Sequence, residues 1–181
     1  MAGRNLVFCD RPEDLAAALF ALVPRPVAVV GIGNPLRGDD GFGPAVVAAV
    51  RPAAGIHLFD VQAVPESFLV PIVTSGCRAV LFVDAADLGA EPGRVALVPA
   101  AAIREVDIST HAIALSVVAE AVRRLAGEIL GAEPVCALVA AQPADLQMAD
   151  GLSPAMAGAV RLAGEGIQMF ALETSQRASR A

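Results

Sequence analysis

The sequence predicts an α/β fold, in which a mostly parallel, twisted sheet of about five strands lies between layers of helices. Apolar runs such as residues 27–32 and 79–84 are nearly continuous, as expected of parallel strands that are buried on both faces. Segments with helical patterns alternate with these runs along the chain. The length of 181 residues suits one domain with one hydrophobic core.

The helices are predicted from capping residues and from the positions of proline. Asp10 is expected to cap a helix that has a proline in its first turn, and Ser109 and Thr110 to cap another. Pro71 limits the length of a short helix, and Pro154 marks the start of the last one. The predicted helices cover residues 10–22, 43–50, 65–73, 109–125 and 152–172, and the predicted strands cover residues 5–8, 27–32, 56–60, 79–84, 94–98 and 134–141.

The chain is predicted to have three parts. Residues 1–26 form an extension, a short strand followed by a helix with leucines at helical spacing. A helix of this length is marginal alone in water, so we expect it to dock on the domain. Residues 27–172 form the α/β domain, and residues 173–181 form a polar tail that we expect to be frayed.

The composition argues against several classes of function. A net charge of -6 without any run of basic residues is unfavourable for binding nucleic acid. No apolar run approaches the roughly 18 residues of a membrane span, and no signal peptide is visible, so we expect a cytoplasmic protein. The cysteines Cys9, Cys77 and Cys136 are far apart, which argues against a disulfide framework or a cysteine-rich metal site.

Two aspartates, Asp39 and Asp40, follow the glycine-rich loop after the predicted strand over residues 27–32. A nucleotide-binding loop would look similar as far as Gly33. However, two carboxylates at the start of a helix repel a phosphate and attract a cation. The loop therefore favours a metal site over a dinucleotide site.

Two further polar residues are expected at the same edge of the sheet. Asp84 ends the strand over residues 79–84, and His111 lies in the first turn of a helix, where a neutral imidazole is favoured. Ligands of open parallel sheets bind beyond the carboxyl ends of the strands. Carboxylate and imidazole ligands suit nickel, zinc or manganese, and three protein ligands would leave positions open for a substrate.

Each of these residues also has an ordinary structural interpretation. Asp39 and Asp40 could cap a helix, Asp84 could bind loop amides, and His111 could be an ordinary first-turn residue. A dinucleotide site has some support, because Gly31-x-Gly33 follows a strand and Asp60 ends the next one. The third glycine position of that fingerprint, however, is a leucine, and the G-x-S-x-G elbow of serine hydrolases is absent.

The motifs together resemble those of the endopeptidases that mature the large subunit of [NiFe] hydrogenases. In that family a strand is followed by Gly-x-Gly-Asn and by a loop that ends in Asp-Asp or Asp-Glu, which are residues 31–40 here. The similarity covers about residues 27–172 and is greatest toward the branch that serves hydrogenases of the formate hydrogenlyase type. Further stretches that match are Val83–Gly89, Glu91–Gly93, Ser109–His111 and Gln142–Pro143.

The resemblance implies a three-layer, phosphorylase/hydrolase-like α/β fold and a specific activity. Such proteins cut a C-terminal extension from the hydrogenase large-subunit precursor after nickel has been inserted. Carried over position by position, the metal-contacting and catalytic residues are Asp40, Asp84 and His111. The nickel belongs to the substrate, and another divalent metal such as zinc or cadmium could occupy the same site.

Two departures from the family pattern stand out. Residues 1–26 precede the first strand of the family core, and the segment Val61–Pro65 has no glycine where the family has a glycine-rich loop. The alternative to a processing endopeptidase is a non-catalytic binding module on the same scaffold, either nucleotide-binding or a hydrogenase-assembly chaperone.

Overall fold

The structure, a computed structural model, describes residues 6–105 and 115–178, with side chains described for residues 6–104 and 115–172. Strands and helices alternate along this part of the chain. The strands are β1 (Val7–Cys9), β2 (Val27–Ile32), β3 (Ile56–Gln62), β4 (Ala79–Ala85), β5 (Val95–Pro99) and β6 (Val135–Ala141). The α-helices are α1 (Pro12–Leu22), α2 (Phe42–Ala49), α3 (Leu69–Thr74), α4 (Leu115–Leu130) and α5 (Pro154–Ala178), and 3-10 turns cover Gly38–Gly41, Pro65–Phe68 and Ala100–Glu105.

The six strands form one sheet in the order β1-β5-β6-β4-β2-β3. Strands β3, β2, β4 and β6 are parallel, whereas β5 is antiparallel to β6 and β1 is antiparallel to β5. The mostly parallel α/β sheet predicted from the apolar runs is therefore confirmed. The sheet has one strand more than the expected five because β1, from the N-terminal extension, joins its edge.

Helices cover both faces of the sheet and create two cores. Alternate residues of β2 show this, since Val27 and Val29 belong to one core while Ala28 and Val30 belong to the other. Helices α1, α2 and α5 contribute to the first core, and α3 and α4 contribute to the second. Burial on both faces is the reason that the central strands are apolar at every position.

The N-terminal extension packs tightly on the domain. Leu15 and Leu19 of α1 are fully buried, and α1 packs against α5. The rings of Phe20 and Phe170 meet edge to face with centroids 5.0 Å apart. After α1, the guanidinium of Arg25 donates to the carbonyl oxygen of Ala171 at 2.8 Å. Residues of the extension therefore supply one strand of the sheet and one helix of its first covering layer.

Three helix ends differ from the sequence-based prediction, and one of them is the end of α4, which continues beyond the expected residue 125 to Leu130. The residue that caps α1 is Arg11 and not Asp10. The backbone N–H of Arg11 donates to the carboxylate of Asp14 at 3.1 Å, while Asp10 forms an ion pair with Arg94 at 2.6 Å. Helix α5 continues beyond the expected residue 172 to Ala178. Neither α5 nor any other helix in the described ranges is long and apolar enough to cross a membrane.

We expect the buried cysteines to resist alkylation in the folded protein. Burial raises the pKa of Cys9 to about 11 and that of Cys136 to about 12. Because only the thiolate reacts, very little of either thiol is reactive at pH 8, and the reactive fraction grows as the pH rises. Mass spectrometry after iodoacetamide treatment at pH 8 should show Cys9 and Cys136 unlabelled until urea is added. Rapid labelling of Cys136 in the native protein would contradict this.

Candidate functional site

The topology of the sheet has a switch point between β2 and β4. From β2 the chain continues through α2 to β3 on one side, whereas from β4 it continues to β5 and β6 on the other side. In open α/β sheets such a switch point is where ligands bind, beyond the carboxyl ends of the strands. Asp40 lies in the turn that follows β2, and Asp84 is the second-last residue of β4.

Three buried carboxylates lie at this edge of the sheet. Asp39 and Asp40 are each 1% exposed and Asp84 is 0% exposed, and they are the buried polar or charged residues of the described part of the chain. Removing a carboxylate from water costs several kcal/mol (an order-of-magnitude figure) unless other groups compensate. Because three buried carboxylates lie together at this edge of the sheet, we take the switch point as the candidate site.

The loop after β2 folds back on itself and thereby positions Asp40. The backbone N–H of Asn34 donates to Oδ2 of Asp40 at 2.9 Å. Gly33 has a φ of 133°, and a Cβ at this position would overlap the carbonyl oxygen of Asp40. Gly33 is therefore required because the backbone of the loop packs closely on itself. A bound phosphate is not needed to explain this glycine.

A second glycine brings the start of α2 onto the ends of two strands. A Cβ at Gly43 would overlap the carbonyl oxygens of Ile32 in β2 and Val83 in β4. Only glycine allows the helix to begin this close to both strands. The turn that carries Asp40 contacts β4 as a result, so Asp40 and Asp84 lie at the same edge of the sheet.

Asp39 has a structural role that the sequence analysis did not separate from that of Asp40. Its carboxylate accepts hydrogen bonds from the backbone N–H groups of Ala144 at 2.8 Å, Asp145 at 3.2 Å and Ser153 at 2.7 Å. The hydroxyl of Ser153 donates to the same carboxylate at 3.0 Å. Asp39 therefore holds the loop between β6 and α5 against the turn that carries Asp40.

Gln142, at the carboxyl end of β6, fixes the loop that follows Asp84. Its Oε1 accepts hydrogen bonds from the backbone N–H groups of Leu88 at 2.7 Å and Ala90 at 3.3 Å. Its backbone carbonyl accepts a third from the N–H of Gly93 at 2.8 Å. The Gln-Pro pair that the family resemblance singled out thus has a positioning role at the end of β4.

We expect Gln142→Ala to lower the free energy of unfolding by about 1–2 kcal/mol, because two backbone N–H groups lose their acceptor. Urea unfolding followed by circular dichroism measures this. Gln147→Ala is the matched control, since Gln147 is exposed and should change stability by no more than about 0.5 kcal/mol. Equal stability of the two variants would show that the contacts of Gln142 contribute nothing.

The loop after β3 is built without glycine, as the sequence showed. Gln62 takes a left-handed conformation, with a φ of 49°, and its carbonyl accepts a hydrogen bond from the N–H of Gly33 at 3.0 Å. Asp60 pairs with Gly31 and Gln62 with Ile32, so the strand has a bulge at this point. A left-handed non-glycine residue costs about 1–2 kcal/mol, which contacts of the loop must offset.

The structure describes two of the three predicted site residues. Asp40 and Asp84 are buried at one edge of the sheet, whereas His111 lies outside the described residues. Within the described ranges, no group of three or more histidine, cysteine, aspartate or glutamate side chains is arranged to hold a metal ion. The three-residue metal site therefore stays a prediction. Asp60, the candidate ribose-binding acid, is exposed on β3.

The chain matches known proteins over most of its length. A family model described as hydrogenase maturation protease matches residues 47–168. The hydrogenase 3 maturation protease of Escherichia coli K12 is 31% identical over 108 residues, which are 57% of this chain and 69% of that protein. The crystal structure of the [NiFe] hydrogenase maturation protease HycI from Thermococcus kodakarensis covers 86% of this chain and 97% of its own, with 25% identity and a TM-score of 0.68.

A second solved structure supports the fold alone. The hydrogenase maturating endopeptidase HybD from E. coli superimposes with a TM-score of 0.65 at 22% identity, covering 84% of this chain and 93% of that one. The three-layer α/β fold and the match of the family model together define a peptidase. The chain belongs to the hydrogenase maturation protease family.

Proposed function

We propose that this protein is an endopeptidase that removes the C-terminal extension of the nickel-loaded [NiFe] hydrogenase large-subunit precursor. The observation that carries the proposal is the burial of Asp40 and Asp84 at the switch point of the sheet, in a chain of the hydrogenase maturation protease family. The alternative of a non-catalytic binding module is not favoured, because the relatives are named as proteases. The cytoplasmic location expected from the sequence stays a prediction.

The nickel in this reaction belongs to the substrate, and we propose that the protein recognises it. The carboxylates of Asp40 and Asp84 and a neutral imidazole of His111 are oxygen and nitrogen ligands of the kind that nickel accepts. Zinc or cadmium accepts similar ligands and could occupy the site instead. Recognition of a metal-loaded precursor would restrict cutting to subunits that already contain nickel.

We assign the acid–base chemistry to the same residues. Hydrolysis adds one water to the peptide bond, so the attacking water must lose a proton and the leaving nitrogen must gain one. A carboxylate of Asp40 or Asp84 would accept the proton from water and return it to the leaving nitrogen. The products are a new carboxyl terminus on the large subunit and a free C-terminal peptide. A carboxylate in the role of proton acceptor would make the protein an aspartic-type endopeptidase.

Incubation with the large-subunit precursor tests this proposal. We expect the protein to shorten the nickel-loaded precursor and leave a nickel-free precursor intact, with the released peptide identified by mass spectrometry. A stable complex without any released peptide would support the binding module instead. Equal cutting of both precursors would contradict recognition of nickel.

A further inference from the structure

The strand β3 forms one edge of the sheet, and within the described ranges it pairs with β2 alone. The strand at the other edge, β1, has three residues, whereas β3 has seven. Proteins commonly protect an edge strand by keeping it short or by placing proline or lysine in it. Ile56–Gln62 contains neither proline nor lysine. β3 is therefore the longer and less protected of the two edges.

The register of β2 and β3 shows which backbone groups of β3 face outward. The N–H of Val27 donates to the carbonyl of Gly55, and Val27 pairs with Ile56. In a parallel ladder, residues that bond to the neighbouring strand alternate with residues whose N–H and C=O point the other way. Leu58 and Asp60 therefore direct their backbone groups away from β2. The edge offers two N–H groups and two carbonyls, repeated at about 7 Å, which is the pattern that an extended polypeptide backbone matches.

The open edge of β3 ends beside the loop that carries Asp40. The strand has a bulge between Asp60 and Gln62, and the carbonyl of Gln62 accepts a hydrogen bond from the N–H of Gly33 at 3.0 Å. Gly33 in turn packs against the backbone carbonyl of Asp40. Bulges end the pairing of a strand. The carboxyl end of the open edge is thus joined to the candidate site by two successive backbone contacts.

A polypeptide paired with this edge would reach the candidate site within a few residues. Neighbouring strands lie about 4.8 Å apart, so an added strand would lie about 10 Å from β2 and about 14 Å from β4. An extended chain covers roughly 3.3 Å per residue, so about three to five residues would span the distance to Asp40 and Asp84. A chain that is cut at these carboxylates therefore has its next residues within reach of β3.

The proposed reaction identifies the segment that would occupy the edge. The peptide bond that is cut lies between the nickel-loaded subunit and its C-terminal extension. Recognition of nickel at Asp40 and Asp84 would hold the subunit on one side of this bond, so the extension is the segment left free to run over the end of β2 toward β3. We propose that the C-terminal extension of the precursor pairs with the open edge of β3 as an added β-strand.

This inference rests on the proposed function and adds the conformation in which the extension is recognised. Main-chain hydrogen bonds to a sheet edge select an extended backbone and tolerate different side chains. Contacts of this kind lie away from the reacting atoms and are the same in the bound substrate and in the transition state. Their loss should therefore raise KM and leave kcat unchanged.

The substitution Asp60→Pro tests the pairing in a processing assay with the nickel-loaded precursor. Proline removes the outward N–H of residue 60, and its ring obstructs an added strand, whereas the groups of β3 that bind β2 are kept. We expect KM to rise about tenfold or more while kcat stays unchanged. Asp60→Ala is the matched control, because it removes the same exposed side chain but keeps the N–H, and it should have the wild-type KM.

A precursor with a trimmed extension tests the same contact without any change to the protein. An extension of about two residues is too short to reach β3. The wild type should therefore process the trimmed precursor with a KM about tenfold above that of the full precursor. Asp60→Pro should cause no further rise with the trimmed precursor. The wild-type comparison also decides the inference if circular dichroism shows that Asp60→Pro does not fold.

Several outcomes would overturn the inference. A folded Asp60→Pro variant with the wild-type KM, or equal wild-type KM values for the full and trimmed precursors, would show that the extension does not use the edge. A dimer seen by sedimentation and abolished by Asp60→Pro would make the edge an interface between two copies of this chain.

Failure of the proposed function can be told apart from failure of this inference. If the wild type does not cut the precursor, the proposed function fails, and binding of a fluorescently labelled synthetic extension peptide decides the pairing separately. The anisotropy of the peptide should then show about tenfold weaker binding to Asp60→Pro than to Asp60→Ala. Equal binding by the two variants would exclude the added strand.

Discussion

Asp84→Asn is expected to slow processing of the nickel-loaded precursor by about a thousandfold or more, in the range found when a catalytic charge or proton acceptor is removed. Asparagine has nearly the same shape as aspartate, so the end of β4 should remain packed. The amide, however, carries no negative charge for a metal ion and cannot accept a proton from water. The rate at which the shortened subunit forms measures the effect, and circular dichroism checks the fold.

Asp40→Asn and His111→Ala should have similar effects if the three residues act as one site. Asp60→Asn is the matched control, because Asp60 also lies at the carboxyl edge, near the end of β3, but is exposed. It should process the precursor at the wild-type rate. Processing by Asp84→Asn at the wild-type rate would remove Asp84 from the mechanism.

Asp39→Ala is expected to have the largest effect on stability, a loss of about 3–5 kcal/mol in the free energy of unfolding. Each hydrogen bond to a buried charge contributes about 1.5–3 kcal/mol, and contributions at one site are not additive. The substitution leaves the N–H groups of Ala144 and Ser153 without their acceptor. It also releases the loop between β6 and α5 from the turn that carries Asp40, so processing should fall as well.

Urea unfolding of Asp39→Ala and of the exposed-site control Asp60→Ala measures the difference. The control should lie within about 0.5 kcal/mol of the wild type. Asp39→Asn is informative because its amide oxygen can still accept while its NH2 group meets donors, so its stability should lie between the other two. If Asp39→Ala unfolds at the same urea concentration as the control, the hydrogen bonds of Asp39 do not hold the loop.

The sheet could be predicted because its central strands are buried on both faces. Such burial requires apolar residues at every position, which is visible in the sequence over β2, β4 and β6. The alternation of these strands with helices then indicated parallel pairing. The place of β1 at the sheet edge could not be predicted, since a strand of three residues carries little pattern of its own.

The capping rule gave the wrong residue for α1, because Asp10 binds a residue that is distant in the sequence. Asp10 has the residue type of a helix cap, but Arg94 lies near it in the fold and binds it. Arg11 then caps α1 through the carboxylate of Asp14. Exposed ion pairs of this kind contribute no more than about 1 kcal/mol, which is comparable to a cap, so the sequence alone could not decide between the two.

In the candidate site, too, some residue positions could be predicted from the sequence and others could not. Asp40 and Asp84 could be placed at one edge because Asp40 follows the parallel strand β2 and Asp84 lies at the end of the parallel strand β4. The separate role of Asp39 could not, because Ala144, which its carboxylate binds, lies 105 residues away in the sequence.

Crystallography of the protein soaked in cadmium tests most directly whether Asp40, Asp84 and His111 form one site. We predict a single ion with one ligand atom from each residue at about 2.0–2.6 Å. Without a bound ion the side chains should still lie close enough to share one. Any pair of the three side chains separated by more than roughly 10 Å, well beyond the reach of two such bonds to one ion, would contradict a shared site.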